Sequence, residues 1–262
     1  MASDNPAVRE NHSTMRILFI NPNVTEAITE IMAEEARRSA APATTIVPAT
    51  VRFGTQYVAN RIEAAIAGHA VLDTIAEQGE GCDAVVIAAF GDPGLYAARE
   101  MIDIPVVGVS EAAFLTAYTL GRSYSMVCLT ERLRRWYVEC AEEHGLDGRM
   151  ASARALDVTI PDIATARETF KQHLVDLALR VVNEDNAEVV IMAGGPAAGV
   201  AREIQDLIPV PTIDGVSCAV RLAEMLVGLN ARPPRRGSFA RPPHKPAKGL
   251  SPELMRLIAG PS

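Results

Sequence analysis

Polar and glycine residues cluster at six points along this chain, each directly after an apolar run. They are Asn21 and Asn23, Phe90-Gly91-Asp92, Ser110-Glu111, Thr130, Gly194-Gly195-Pro196 and Asp214-Gly215. Glycines let backbone N–H groups approach a ligand, and a helix start favours an anion. The ligand this implies is a small carboxylate or carbonyl compound. Backbone donors at Ala89 to Gly91 and at Gly194 to Gly195, with the Thr130 hydroxyl, would stabilise a developing enolate by about 2.7–4 kcal/mol per donor. The available acid/base groups are Asp92 and Glu111, with Tyr96 behind them. A carboxylate raised in pKa by burial would act as general base. The same residues also have structural uses. Asp92 before Pro93 caps a turn, Glu111 balances a helix dipole, and Asp214 before Gly215 reads as structural.

Other chemistries are not expected. Gly194-Gly195-Pro196-Ala197-Ala198-Gly199 is the nearest approach to a phosphate cradle, yet it lacks the lysine and Pro196 removes an N–H. The cysteines, Cys82, Cys128, Cys140 and Cys218, show no CxxC spacing, and the five histidines form no HExxH pair, so no metal and no cofactor are expected. A net charge of −7 with 5% aromatic residues argues against nucleic acid. No apolar run is long enough for a membrane span and no secretory signal is seen, so a cytoplasmic chain with free thiols is expected.

The elements that must position these residues read as α/β. Apolar runs at 16–20, 44–51, 83–89 and 105–109 predict buried parallel strands. Helical rhythm falls at 25–38, 57–79 and 111–120. The order then restarts, with strands at 125–129, 151–156, 189–193 and 211–213 and helices at 131–144, 165–184 and after 213. Asp83-Ala84-Val85-Val86-Ile87-Ala88-Ala89 parallels Glu188-Val189-Val190-Ile191-Met192-Ala193-Gly194, and Ile104-Pro105-Val106-Val107 parallels Val210-Pro211-Thr212-Ile213. The fold class expected is therefore two pseudo-symmetric parallel-sheet α/β halves with the ligand cleft between them. Residues 1–14 read as a flexible extension. The first half spans 15–115 plus a crossover from the C-terminal region, and the second spans 116–230. A Pro/Arg-rich tail and short helix occupy 231–262.

Ile20-Asn21-Pro22-Asn23, Phe90-Gly91-Asp92-Pro93-Gly94-Leu95, Pro105-Val106-Val107-Gly108, Ser110-Glu111-Ala112, Leu129-Thr130 and Ile213-Asp214-Gly215 resemble the aspartate/glutamate/hydantoin racemase superfamily, most closely its hydantoin and allantoin racemase branch. The resemblance spans about residues 15–230. It implies cofactor-independent racemisation by one cysteine from each half, acting on opposite faces of the reacting carbon. The matching positions here hold Ala89 and Gly194, and no other cysteine matches, so two-thiol chemistry is not expected. Two readings follow. One is an enzyme acting next to a carboxylate or carbonyl of a hydantoin-like molecule, by racemisation or an allied lyase, decarboxylase or isomerase step. The other is a small-carboxylate-binding protein that keeps only the cleft. A homo-oligomer is expected, because Arg232 to Lys248 is basic and too poor in apolar residues to fold alone.

Overall fold

The computed structural model describes residues 14–157, 166–230 and 234–260. The expected extension before residue 14 lies outside them. In the first half β1 (Met15–Asn21), β2 (Thr44–Thr50), β3 (Ala84–Ile87) and β4 (Val106–Gly108) form one sheet, ordered β2-β1-β3-β4. In the second, β5 (Tyr124–Cys128), β6 (Met150–Ala155), β7 (Val190–Ala193) and β8 (Thr212–Asp214) repeat the pattern as β6-β5-β7-β8. All pairings are parallel. Covered on both faces, β3 and β7 are wholly buried, which is why they read as unbroken apolar runs. The repeated segments of the sequence thus occupy matching places in the two sheets.

The helices are α1 (Glu26–Ser39), α2 (Arg61–Gln78), α3 (Leu95–Met101), α4 (Val109–Leu120), α5 (Glu131–Glu143), α6 (Ala166–Asp185), α7 (Val200–Ile204), α8 (Gly215–Gly228) and α9 (Pro252–Ala259). α2 starts later than the apolar rhythm suggests. The Asn60 side chain accepts from Glu63 N at 3.0 Å, and Glu63 reaches back to Ala59 N at 2.7 Å. This reciprocal cap fixes the start and leaves residues 51–60 as a loop.

The halves are tied together by exchanged helices. Val216, Ala219, Val220 and Ala223 of α8 pack into the core of the first sheet with Ile17, Phe19 and Val86. Ala113, Phe114 and Ala117 of α4 pack in the second core with Tyr124, Met126 and Ile191. α8 and α4 are thus counterparts, each packed on the sheet of the other half.

Residues 234–260 touch their own chain at two places. Phe239 stacks on Tyr96 with ring centres 5.6 Å apart, and the Arg99 guanidinium stands 5.9 Å from the Phe239 ring. Leu254 of α9 is buried with Leu18, Val71 and Ile75. No described helix is long and apolar enough to cross a membrane.

Candidate active site between the halves

The strand ends of both sheets meet around a cavity of about 40 Å³. The first half contributes Asn23, Ile28 and Met32, Tyr57 and Val58, and Ala88-Ala89-Phe90; the second contributes Leu133, Tyr137, Gly195 and Pro196. That volume holds little more than a water molecule. Tyr57, on the 51–60 loop, is half-exposed.

Of the residues singled out in the sequence, Ala89, Asn23, Phe90, Gly195 and Pro196 line this cavity. Asn23 is the polar one. Its Oδ1 accepts from Asn21 Nδ2 at 3.1 Å and from Thr25 N at 2.9 Å. Two donors on one oxygen fix the amide orientation and leave Nδ2 for a ligand. Asn21 is wholly buried and serves this turn, also donating to Thr29 Oγ1 at 2.9 Å. The Phe90 ring belongs to the core, 4.6 Å from Tyr137 and 5.5 Å from Phe114, so its backbone is what faces the cleft. Among the described residues no acceptor takes the Ala89 or Phe90 N–H.

Several expected ligand groups are spent elsewhere. The Gly91 N–H donates to Ser110 Oγ at 2.6 Å. A side chain at Gly91 would run into Trp136 at 2.4 Å, on a backbone already at φ +108°. The Thr130 hydroxyl caps α5 by accepting from Leu133 N at 3.3 Å. Gly194 borders the cleft at φ +111°, a conformation closed to most L-residues. A Cβ there would stand 3.3 Å from the Tyr137 hydroxyl. Tyr137, 4% exposed, was not singled out in the sequence, where it reads as one more apolar position of α5. Burial in apolar surroundings drives its phenol pKa far up, with Cys128 and Cys140 adding to the effect, so it stays protonated as a donor.

Asp92 and Glu111 do not line the cavity. Asp92, at φ +45°, turns its carboxylate onto the start of α4. Oδ1 accepts from Ser110 N and Oδ2 from Glu111 N, each at 2.9 Å. Gly108 makes room, since a Cβ there would meet the Asp92 carboxyl carbon at 2.2 Å. Oδ2 also lies 3.2 Å from His144 Nε2, and His144 Nδ1 lies 2.8 Å from the Tyr96 hydroxyl. Glu111 forks onto Arg99 at 2.9 and 2.5 Å. Burial works against the charged imidazole of His144, but the Asp92 hydrogen bond and the Asp92, Glu111 and Glu143 charges outweigh it and raise the pKa. Cys140, one turn earlier on α5, completes the group. Donor atoms of Asp92, Cys140 and His144 all lie within 4.8 Å of one another. Cys140 and His144 are four apart at the C-terminal end of α5.

A second buried group stands at the pseudo-symmetry-related place, also between the halves. Glu35, 3% exposed, accepts from Arg202 Nη2 at 2.6 Å, Ser217 Oγ at 3.0 Å and Ser39 Oγ at 3.2 Å. Asp214 caps α8 by accepting from Ser217 N at 2.9 Å, which confirms its structural reading. Burial, with Glu35 adding to it, raises the Asp214 pKa against the hydrogen bonds from Ser217 and Gly199. The four cysteines are all buried, and none lines the cavity. Burial raises each thiol pKa, that of Cys218 to about 12.

The family model described as Asp/Glu/Hydantoin racemase matches residues 17–223. A hydantoin racemase of Paenarthrobacter aurescens is 35% identical over 237 residues, covering 88% of this chain and 99% of that protein. A hydantoin racemase of Pseudomonas sp. (strain NS671) is 31% identical over 232 residues, covering 88% and 93%. Among solved structures, allantoin racemase from Pseudomonas fluorescens superposes with a TM-score of 0.85 at 35% identity, covering 90% of this chain and all of that one.

Proposed function

The chain belongs to the Asp/Glu/hydantoin racemase family, and we propose that it acts at the carbon next to a carbonyl of a small hydantoin-like or carboxylate substrate, through an enolate-like intermediate, without a thiol. The observation that carries this reading is the meeting of the loops after β3 and β7 across one cavity. The Ala89 and Phe90 N–H groups and the Asn23 amide supply donors for the enolate oxygen, in a small and largely apolar site. Solvent water takes the proton from the carbon, slowly, and on the Gly194 side the protonated Tyr137 phenol returns one to the enolate carbon and is reprotonated from that water. Asp92 and Glu111 act as positioning residues that hold the β3 loop against α4. Opposite Tyr137, the first half brings no carboxylate, imidazole or thiol to the cavity among the described residues, so proton traffic is one-sided and inversion is slow.

That asymmetry also favours a second reading. The cavity lining holds no carboxylate, imidazole or thiol among the described residues. Loss of carbon dioxide from a carbon bearing two carboxyl groups needs no base. The C–C bond breaks, its electron pair enters the enolate, and Tyr137 then gives a proton to the carbon. Enantiopure 5-substituted hydantoins, allantoin and disubstituted malonates, incubated with the protein and followed for optical rotation and carbon dioxide release, separate the readings. Neither signal above a buffer blank would remove both and leave a binding protein.

A further inference from the structure

The two halves carry their buried polar groups at equivalent helix positions. Glu35 and Cys140 are each nine residues past the first residue of α1 and α5, and Ser39 and His144 are each thirteen past it. Glu35 of α1, in the first half, receives a cation, the Arg202 guanidinium of the second half. At the related place Arg99 is taken by Glu111, and Asp92 of the first half is left facing His144 and Cys140 of the second.

We propose that Asp92, Cys140 and His144 bind a divalent transition metal of the zinc class at the seam between the halves, away from the cleft. Carboxylate, thiolate and imidazole are the mixed donor set that suits zinc. The Asp92 Oδ2 to His144 Nε2 separation of 3.2 Å matches the edge of a zinc tetrahedron, about 3.3 Å for bonds of about 2.0–2.1 Å. Cys140 and His144, one turn apart on α5, present Sγ and Nε2 on a single face. A supporting layer is in place around Asp92 and His144. Tyr96 meets His144 Nδ1 at 2.8 Å and so holds Nε2 toward the metal. Ser110 N and Glu111 N fix the Asp92 carboxylate. Binding breaks the Cys140 S–H bond and releases its proton to solvent. One dication with one carboxylate and one thiolate leaves the buried site neutral, which removes the cost of an unpaired charge. A water or the Ser110 hydroxyl takes the fourth position.

The test uses the full chain after chelator treatment, with cobalt(II) and then zinc as probes. The result expected is one metal per chain, a thiolate-to-cobalt charge-transfer band with tetrahedral visible bands, and a higher melting temperature with zinc. Cys140→Ser loses the charge-transfer band. Tyr96→Phe binds roughly 10–100-fold more weakly while keeping the band. A stripped wild-type chain that is folded by circular dichroism yet gives no thiolate–cobalt band overturns the proposal, and so does a band that persists in Cys140→Ser. Neither readout depends on the activity of the cleft.

Discussion

In the first half the loop after β3 is fastened by Asp92, a residue of the loop itself that reaches across to the start of α4. In the second half the fastening runs the other way. Asp214, at the end of β8, caps its own α8 and accepts from Gly199 of the loop after β7. The symmetry of the fold is thus kept while the chemistry is redistributed. One side uses Asp92 with His144 and Cys140, the other Asp214 with Glu35 and Arg202. Buried carboxylates in this molecule are the hardware that holds two glycine-bearing loops at the cavity, and the cavity itself is left nearly apolar. Proximity in sequence to a ligand-binding loop therefore does not make an acidic residue a base.

The first clamp should break hardest. Gly108→Ala would press a methyl group into the Asp92 carboxyl, and Asp92→Ala would strand the Ser110 and Glu111 N–H groups. Each should cost on the order of 3–5 kcal/mol, read as a fall in the urea midpoint. Arg202→Ala attacks the second clamp and should cost less, about 2 kcal/mol, because Arg202 is half-exposed while Glu35 keeps its two serine donors. A Gly108→Ala protein as stable as the wild type would show that the first clamp holds nothing.

The second clamp should also respond to pH. The Asp214 pKa is raised above its ordinary value of 3.8, so what this group adds to stability is present below that value and is lost as pH rises through the folded pKa. Asparagine mimics the protonated acid, keeping an acceptor for Ser217 N and gaining a donor for Ser217 Oγ. Asp214→Asn should therefore match or exceed the wild type at neutral pH, and its advantage should shrink as pH falls toward 3.8. Urea midpoints across that range check this, and a deficit that is largest at neutral pH would reverse the assignment. The smallest effect concerns thiols. With all four cysteines buried and outside the cavity, iodoacetamide should leave any activity of the folded chain intact. Rapid loss, prevented by substrate, would place a thiol at the reaction.

Most of the fold can be read from residue order. Doubly covered strands leave apolar runs that alternate with helical rhythm, and the 83–89 and 188–194 repeat locates the pair of loops at the cleft. The site was harder to read, for three physical reasons. Ile28, Met32 and Tyr137 reach the cavity from helix faces whose periodicity cannot distinguish a core from a cleft wall. Asp92 meets Cys140 and His144 only through tertiary packing, although the four-residue spacing of the latter two was a usable signal. Gly194 looks like a vacated side-chain position in the sequence, but its φ of +111° makes it a backbone requirement, and Gly194→Cys should carry a strain of about 1–3 kcal/mol.

The central claim is that Tyr137 moves the proton in a cleft without thiols. Proton NMR in deuterium oxide, with enantiopure 5-substituted hydantoins and allantoin, measures it directly. Slow exchange of the proton on the reacting carbon above the buffer rate is expected, with water taking the proton and Tyr137 returning a deuteron, faster than any loss of optical activity and abolished in a folded Tyr137→Phe chain. Exchange that continues unchanged in Tyr137→Phe, or none in the native chain, would contradict it.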